Sequence, residues 1–429
     1  MKALSEPSQA SDVIIVGAGI VGLTLAVRLQ LEGKRVCLVD AVGPASGASY
    51  GNAGFLSRGS IFPPVSRSDL WRLPKYLLDP ASPLTIRPAY LPDLVPWGLR
   101  LIAATRPKRM EQIIAALASL SRDAISSYAP LLSAAAADDL VDVRGSLVVC
   151  RTAVTLDQKS RAIPSWRENG IEAFRIDRAE ARELEPALSD EIAGAIYLPD
   201  NGRCISPGAL GLRFAAYLVA NGGRLVIARA NKVAPSNGSW RVQTSSGDFE
   251  APQVVVAAGR WSDELLTPFG MTIPLASERG YHLMLPEAGV ELSRPCVMAE
   301  PFFAATPMID GLRLAGTVEF AHADAPMNPK RADNLFQLAR RYLPGLSREG
   351  ATRWMGVRPS FPDALPAIGE VRGRTGLFYS FGHQHVGLTF AASSAKLLAD
   401  LMLNRRPGID PAPFSLERFS RGPQFEDII

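Results

Sequence analysis

The most constraining feature of this chain is a glycine pattern set between two apolar segments. Residues 12–40 read DVIIVGAGIVGLTLAVRLQLEGKRVCLVD and hold Gly17, Gly19 and Gly22 ahead of a second β-type segment that ends at Asp40. This order predicts a strand, a tight turn, a helix and a second strand. A helix that begins at such a turn presents unpaired N–H groups, which favour the negative charge of a pyrophosphate. The unit therefore predicts a dinucleotide site, with Asp40 placed to accept hydrogen bonds from an adenosine ribose.

The residues of the glycine motif have separate tasks in that site. Gly17 permits the tight turn, Gly19 lets the backbone approach the pyrophosphate, and Gly22 lets the helix pack closely on the sheet. Ile20 and Val21 begin the helix and belong to the expected cofactor contacts.

The composition excludes several classes of protein. The chain has 429 residues with 47% hydrophobic and 21% charged residues, which is typical of a soluble protein with more than one domain. The net charge is only +4 and no basic run occurs, so nucleic-acid binding has no support. No apolar stretch approaches the roughly 18–20 residues that span a bilayer. The short polar start is not a secretory signal, and we expect a cytoplasmic protein.

The cysteine spacing argues against metal and disulfide scaffolds. The four cysteines lie far apart and form no Cys-x-x-Cys pair: Cys37, Cys150, Cys204 and Cys296. Reduced thiols are the expectation, and we predict no metal site.

The segment after Asp40, residues 41–60, is rich in glycine, serine and alanine. Small residues let the backbone pass close to a flat ring system, whereas the alternative is an ordinary surface loop. The expected cofactor contacts in this loop are Ala48, Ser49, Asn52, Ala53 and Gly54.

Residues 61–140 read as helical, and the segment LPDLVPWGLRLIAATRPKR within them combines apolar residues, a Trp and flanking basic residues. This pattern is found in interfacial helices, and the alternative is a helix that covers a core. The following strand-rich region ends in VVVAAG, which suggests a return to the dinucleotide sheet. Val233, Ala258 and Gly259 join the expected cofactor contacts there.

A second glycine-rich turn, residues 382–389, leads from a predicted strand into a helix far from the first turn. A second helix N-terminus can stabilise the negative charge that builds on a flavin ring on reduction, a need that nicotinamide lacks. The dinucleotide is therefore expected to be FAD, contacted here by Gly382, Gly387, Leu388 and Thr389.

With these motifs in view, the chain resembles the FAD-dependent D-amino-acid oxidase superfamily, and most closely its D-amino-acid dehydrogenase branch. The similarity covers nearly the whole length through GAGIVG, SGASYGNAGF, PDNGRCISP, VVVAAGRW, ERGYHL, GVRPSFPDALPAIG and GHQHVGLT. It implies oxidation of an amine to an imine that water hydrolyses. The absence of a cysteine from the C-terminal turn indicates noncovalent FAD.

The expected fold class is α/β with an α+β substrate domain. The resemblance implies a glutathione-reductase-type FAD-binding Rossmann domain interleaved with a mixed-sheet substrate domain. We place the FAD-binding domain in residues 1–60, part of 141–270, and 355–429. The substrate-binding and helical domain takes 61–140 and 271–354, with segments of 141–220.

Arg358, in Gly-Val-Arg-Pro, occupies the position of the arginine that anchors substrate carboxylates in related family members. The planar guanidinium fork matches a carboxylate bidentately. The alternative is a structural arginine that pairs with Glu370 or Asp363.

The motif ERGYHL resembles the strand that lines the substrate side of the flavin. Tyr281 is a candidate to hydrogen-bond the carboxylate, Arg279 a candidate second cation, and His282 a further substrate contact. The open alternative is that Arg279 and Tyr281 pack in the sheet with their polar tips satisfied.

Two of the four histidines, His383 and His385, flank Gln384 in the second turn. His383 is a candidate base for the amine proton, and Gln384 a substrate contact. The alternative has His383 bonded to backbone and His385 on the solvent side. We favour His383 and Gln384 as residues near the flavin or substrate.

The expected reaction is oxidative deamination of a small or cyclic D-amino acid of the D-proline, hydroxy-D-proline or D-alanine type. Hydride passes from Cα to flavin N5, and electrons go on to a quinone-type acceptor. The aromatic residues expected to suit such a substrate are Tyr281, Phe302, Phe303 and Trp354. The D-preference and the quinone rest on the resemblance alone. Rival hypotheses are glycine or sarcosine oxidation, an NAD(P)-linked dehydrogenase, and a noncatalytic FAD-binding subunit. Contact with the inner face of the cytoplasmic membrane stays open.

Overall fold

The computed structural model describes residues 11–70 and 84–420. In chain order the strands are β1 (Val13–Val16), β2 (Val36–Asp40), β3 (Phe55–Leu56), β4 (Leu84–Ile86), β5 (Val141–Asp142), β6 (Ser146–Cys150), β7 (Phe174–Asp177), β8 (Gly194–Leu198), β9 (Gly202–Cys204), β10 (Arg224–Ile227), β11 (Ala230–Ser236), β12 (Ser239–Thr244), β13 (Gly247–Ala251), β14 (Gln253–Val256), β15 (Ala276–Leu285), β16 (Cys296–Met298), β17 (Phe303–Met308), β18 (Gly311–Phe320), β19 (Thr352–Ser360), β20 (Ala367–Glu370) and β21 (Leu377–Phe381).

The α-helices, in the same order, are α1 (Ile20–Leu31), α2 (Arg67–Leu70), α3 (Leu91–Ala104), α4 (Pro107–Arg122), α5 (Ala129–Ala134), α6 (Ala153–Ser160), α7 (Ile163–Glu168), α8 (Arg178–Leu184), α9 (Pro207–Ala220), α10 (Ser262–Leu266), α11 (Pro329–Ala339) and α12 (Gly387–Met402).

The dinucleotide unit lies in a six-stranded sheet with the order β10-β2-β1-β14-β21-β20. The central strands run parallel, and only β20 pairs in the antiparallel sense. β1, α1 and β2 form the strand, helix and strand that the glycine motif predicts. β14, the strand of VVVAAG, pairs directly with β1, so the chain does return to this sheet.

Two layers cover this sheet. The side chains of α1, α9 and α12 form one apolar core against it, with Leu23, Leu210 and Phe390 fully buried. The antiparallel meander β11-β12-β13 covers the other face and buries Val233 and Trp240. Burial on both faces explains why β1 is apolar throughout and why β14 continues from Gln253 into three consecutive buried valines instead of alternating.

The second large sheet, called the substrate sheet below, has the strand order β19-β15-β18-β17-β16-β6-β8-β7, and β4 pairs with β18. Helix α11 packs on one face, where Leu335 and Phe336 join Leu283 and Leu314 in a core. We call the face that carries α11 the back face and the opposite face the site face.

The structure differs from the expected domain boundaries in two places. β19 crosses the boundary at residue 355, because its whole length pairs with β15 of the substrate sheet. Helix α4, expected in the substrate domain, buries Ile113, Leu117 and Leu120 in the same core as α1. Its apolar stripe thus joins the dinucleotide sheet, a pairing that periodicity alone could not reveal.

Helix α3 is fixed on one side by a hydrogen bond of Trp97. Trp97 donates from Nε1 to the backbone oxygen of Ser360 at 2.9 Å, which fixes one side of the helix to the end of β19. Within residues 11–70 and 84–420, no helix combines the length and the apolar character that crossing a bilayer requires.

Candidate dinucleotide and substrate site

The turn between β1 and α1 is shaped by close backbone approach. Gly17 has φ +112°, and a Cβ there would overlap the carbonyl of Ala257 at the end of β14. A Cβ at Gly22 would overlap the carbonyl of Gly17, and Gly19 is the N-cap of α1. These glycines let the turn, the helix and β14 meet with room only for backbone.

The N-terminus of α1 is an anion cradle. The first intrahelical bond runs from the N–H of Leu23 to the Gly19 carbonyl, and Ile20 donates to Ser49 Oγ at 2.8 Å. The N–H groups of Val21 and Gly22 precede that first bond and have no acceptor within the helix. The predicted contacts of the glycine motif therefore lie together at one helix end.

Asp40 fastens the same turn. Its carboxylate accepts from the N–H groups of Ala18 at 2.7 Å, Val42 at 2.9 Å and Gly43 at 2.8 Å. A carboxylate offers about four lone-pair sites, so capacity for one further donor is left. The ribose contact stays a prediction.

The small-residue loop 41–60 bridges the two sheets. Ala48, Ser49, Asn52 and Ala53 are half-buried, and Gly54 has φ +69° with Cys204 and Met308 against its Cα. Asn52 Oδ1 accepts from the Gly54 N–H at 2.9 Å.

Arg313 on β18 secures this loop. Its Nη1 donates to the carbonyls of Tyr50 at 3.0 Å and Asn52 at 2.6 Å, and burial lowers its pKa. Arg313 was missed at the sequence level because nothing in its local pattern marks it.

The second glycine turn lies next to that loop. Gly382 has φ +80°, and a Cβ there would overlap Phe361. Thr389 Oγ1 donates to the Phe55 carbonyl at 3.1 Å and accepts from the Ser57 N–H at 3.2 Å. Tyr128 donates to the Leu388 carbonyl at 2.6 Å. The N-terminus of α12, starting at Gly387, is thereby held beside the end of the small-residue loop.

The other expected cofactor contacts lie on or next to the dinucleotide sheet. Ala258 and Gly259 follow β14 directly, and Gly259 takes φ +58° at the start of a short 3₁₀ turn. Val233 is buried in β11 and pairs with Val242.

The site face of the substrate sheet carries alternate residues of β15 and β19. Glu278 pairs with Arg358, Gly280 with Gly356, and His282 with Trp354 across the antiparallel register. Directly opposed residues share a face, so these six side-chain positions form one surface.

Arg358 is held along one edge of its guanidinium. Nη1 donates to Glu278 Oε1 at 2.9 Å and to the Thr317 carbonyl at 3.3 Å. The group lies flat over Gly280, where a Cβ would overlap it. The alternative partners are engaged elsewhere: Asp363 pairs with Arg109 and Arg418.

Glu370 likewise has its own partner, since it accepts from the N–H of Gly376. The alternative in which Arg358 pairs with Glu370 or Asp363 is therefore wrong, because both carboxylates bind other groups. The carboxylate that binds Arg358 is Glu278, a residue of the ERGYHL motif that sequence reasoning did not select.

His282 stacks on Trp354 with ring centroids 5.0 Å apart and an angle of 15° between the planes. Its Nδ1 lies 3.2 Å from the Gly51 carbonyl, which places the ring proton on Nδ1. Burial, with the nearby Arg313 charge, lowers the pKa of His282 to about 4. The ring is therefore neutral, and Nε2 carries a lone pair.

Arg279 and Tyr281 lie on the back face and do not join this group. Arg279 is fully buried, with Nε 3.4 Å from Glu319 Oε2 and Nη2 donating to the Pro326 carbonyl at 3.0 Å. Tyr281 donates to Glu319 Oε2 at 2.5 Å, and burial with this carboxylate raises its pKa. The strand period of two points them away from Arg358, so both pack in the sheet. The polar tip of Tyr281 is satisfied, whereas Nε and Nη1 of Arg279 have no hydrogen-bond partner within the described residues.

The histidines of the second turn also point in different directions. His383 is buried with Nε2 3.0 Å from Ser394 Oγ, and burial lowers its pKa to about 3. Gln384 uses its side-chain amide to donate to the Phe361 carbonyl at 2.8 Å.

His385 is the exposed member of the pair. Desolvation lowers its pKa, and the charges of Glu278 and Arg358 act on it in opposite directions. His385 is therefore the histidine of this turn that lies near Arg358. The alternative that placed His385 on the solvent side did not include its position near the charges of Glu278 and Arg358.

The aromatic residues expected around the substrate are dispersed. Phe302 is 53% exposed at a hairpin, whereas Phe303 is buried in the core of the back face. Tyr281 is on the back face as well. Trp354 alone of the four lies on the site face, because β19 places it opposite His282.

The arrangement fits a flavin dinucleotide. Two helix N-termini, those of α1 and α12, offer N–H groups to anionic regions, and the small-residue loop passes between them and the site face. Within the described part of the chain, His, Cys, Asp and Glu side chains form no cluster that could hold a metal ion.

Comparison with known proteins supports this interpretation. The sequence model of a family described as FAD dependent oxidoreductase matches residues 12–401. A D-amino-acid oxidase of Bradyrhizobium diazoefficiens is 36% identical over 96% of this chain and 99% of its own length. The D-amino acid dehydrogenase 2 of Ralstonia nicotianae is 32% identical over 95% of this chain and all of its own length.

Solved structures show the same fold. Glycine oxidase from Geobacillus kaustophilus aligns with a TM-score of 0.73 and 25% identity, covering 95% of this chain and 98% of its own. L-proline dehydrogenase from P. horikoshii aligns with a TM-score of 0.74 at 16% identity, covering 96% and 98%. The expected α/β fold with an FAD domain and a substrate domain is confirmed. The chain is an enzyme of the FAD-dependent oxidoreductase family that includes the D-amino-acid oxidases and dehydrogenases.

Proposed function

We propose that the protein oxidises a small or cyclic D-amino acid, of the proline or alanine type, to the imine or 2-oxo acid. The observation that carries this proposal is the open edge of Arg358. Nη1 is bonded, while Nε and Nη2 have no hydrogen-bond partner within residues 11–70 and 84–420, and the side chain keeps 21% exposure. The Nε–Nη2 edge is the one that binds a carboxylate bidentately.

The site face supplies the other requirements of such a substrate. The Arg358 guanidinium lies over Gly280 and the Trp354 ring over Gly356, and the stacked rings of His282 and Trp354 form a flat wall on the same face. A small or cyclic side chain fits a wall of two flat rings better than a long one, because the contact is planar. FAD, when bound, supplies the acceptor for the hydride that leaves the substrate Cα.

The substrate amine must be neutral before the adjacent Cα loses a hydride. His385 lies near Arg358, and its lowered pKa keeps the imidazole unprotonated at neutral pH. His385, in place of His383, is then the group that takes the ammonium proton. The burial of His383 against Ser394 favours His385 for that role.

The test is an anaerobic screen that follows bleaching of the flavin absorbance after rapid mixing with single amino acids. We expect D-proline and D-alanine to bleach the flavin and their L-enantiomers to leave it unchanged. Bleaching by glycine or sarcosine alone would replace the proposed substrate class. No bleaching by any of these would favour a noncatalytic FAD-binding subunit, and a protein without flavin absorbance after incubation with FAD would contradict FAD binding.

For the electron acceptor we propose a quinone, reached at a membrane surface through α3. Leu91, Val95, Leu99 and Ile102 recur at helical spacing and are 37–57% exposed. Lys108, on the next helix, adds positive charge that anionic lipid headgroups attract. The opposite side of α3 contacts the end of β19 through the hydrogen bond from Trp97 to Ser360. The exposed apolar side of α3 is therefore one helix width away from the substrate sheet.

Vesicle flotation tests the membrane contact. We expect the protein to float with anionic vesicles and less with neutral ones, and Val95→Glu combined with Leu99→Glu to abolish flotation. If the same amount of protein reaches the floating fraction with and without vesicles, the membrane contact is contradicted. Reoxidation of the reduced flavin by a soluble quinone, compared with oxygen, tests the acceptor separately.

A further inference from the structure

Glu278 lies on the face where the substrate carboxylate is proposed to bind. Two carboxylates repel each other, so a glutamate at this position calls for a separate explanation. Its side chain is only 10% exposed. Oε1 accepts from Arg358 Nη1 at 2.9 Å, and Oε2 accepts from Ser360 Oγ at 2.6 Å. Both oxygens are therefore engaged by the protein.

The three residues form a rigid clamp. Arg358 and Ser360 lie two residues apart on β19, on the same face, and Glu278 lies opposite Arg358 on β15. Ser360 is itself anchored, because its carbonyl accepts from Trp97 Nε1. A bond to Ser360 thus fixes the carboxylate, and the carboxylate fixes one edge of the guanidinium.

We propose that Glu278 is a positioning residue for Arg358. It holds the Nη1 edge so that the Nε–Nη2 edge faces the substrate, and Gly280 provides the flat floor below the guanidinium. The pair also lowers the net positive charge on this face, so that the carboxylate of the substrate is bound by directed hydrogen bonds instead of by charge alone. This inference rests on the proposed role of Arg358 as carboxylate anchor.

A positioning role predicts a characteristic split in the kinetics. Without Glu278 the guanidinium keeps its charge but can rotate, so KM changes little, within about threefold, while the Cα–H is misaligned. Small misplacements cost up to about 100-fold in rate. We expect Glu278→Ala to lower kcat by about 10- to 100-fold, and Glu278→Gln, whose oxygen can still accept from Nη1, to recover most of that loss.

Glu319 offers a matched control on the back face. It is a buried glutamate of the neighbouring strand that accepts from Arg87 Nε at 3.0 Å and from Tyr281, with Arg279 Nε 3.4 Å away. Glu319→Gln should lower thermal stability and leave kcat and KM for the amino acid near the wild-type values.

A second readout is independent of turnover. Titration of the FAD-loaded protein with anthranilate, a carboxylate probe, is followed by the change in flavin absorbance. Arg358→Ala should abolish the change, and Glu278→Ala should alter its shape with a smaller loss of affinity. Ser360→Ala, a milder variant, should reproduce part of the kcat effect if Glu278→Ala fails to fold.

The outcomes separate the two proposals. If Arg358→Ala raises KM while Glu278→Ala and Ser360→Ala keep the wild-type kcat, only the positioning role is overturned. Unchanged KM and anthranilate binding in Arg358→Ala overturn the carboxylate anchor, and the positioning role with it.

Discussion

The two faces of β15 carry nearly the same chemistry with different consequences. On the site face Glu278 pairs with Arg358, and on the back face Glu319 pairs with Arg279. Arg358 keeps 21% exposure and an unbonded edge, whereas Arg279 is fully buried and, among the described residues, donates only from Nη2, to the Pro326 carbonyl. An arginine–glutamate pair is thus partly exposed on one face and enclosed by a core on the other, and we propose that only the partly exposed pair binds a substrate.

The largest effect is expected from Arg358→Ala. Removal of the carboxylate anchor should cost about 1.5–3 kcal/mol of transition-state binding, or roughly 10- to 150-fold in kcat/KM, mostly through KM. Steady-state kinetics with a soluble acceptor measure it. Arg358→Lys keeps the charge but loses the planar pair of donors, so its kcat/KM should lie between the values of the wild type and Arg358→Ala. An unchanged KM would show that the site face does not bind the carboxylate.

Tyr281→Phe tests the back face. The variant loses the hydrogen bond to the buried Glu319 carboxylate, so the free energy of unfolding should fall by about 1.5–3 kcal/mol. Denaturant titration measures this loss, and kcat/KM should stay within about twofold. A KM increase like that of Arg358→Ala would erase the distinction between the faces.

The two histidines of the second turn make a parallel comparison. His383 has a native pKa of about 3, well below its ordinary value of about 6.5, so the unfolded chain binds more protons between these pH values. Stability attributable to neutral His383 is complete above pH 6.5 and falls with decreasing pH, by up to about 2 kcal/mol at pH 5.

His383→Gln keeps an amide for Ser394 and cannot titrate. Denaturant titrations at pH 7 and pH 5 should show a smaller loss for this variant than for the wild type. His385→Gln is the matched control and should change the pH profile of kcat/KM more than the pH dependence of stability. Equal losses in wild type and His383→Gln would contradict a buried neutral His383.

The smallest effect is expected from the floor beneath Arg358. A Cβ at Gly280 overlaps the guanidinium, so Gly280→Ala must tilt it and should lower kcat by about tenfold while KM stays within about threefold. Gly408→Ala is the control, because a Cβ there meets no atom within 4 Å. If both variants behave like the wild type, the guanidinium does not need that floor.

Much of the cofactor side was predictable because its signals are local. The turn at Gly17 and Gly22 needs glycine for contacts that lie within a few residues or on an adjacent strand. The substrate side was less predictable. ERGYHL contains Glu278, Arg279, Tyr281 and His282, and its strand period separates them into two faces without saying which one borders the cleft.

That choice depends on distant partners. Glu278 meets a residue 80 positions away, and Arg313 reaches the carbonyls of a loop more than 250 positions earlier. A sequence pattern carries the alternation of a strand but not the element that packs on each side.

The sequence by itself determined that this chain has two helix N-termini for a flavin dinucleotide, because turn and helix-start chemistry is written in consecutive residues. The tertiary structure decided which polar residues surround the substrate position. Helix α11 covers one face of the substrate sheet, on which Arg279 and Tyr281 are buried, whereas Arg358 and Glu278 lie on the opposite face, where we propose that the substrate binds.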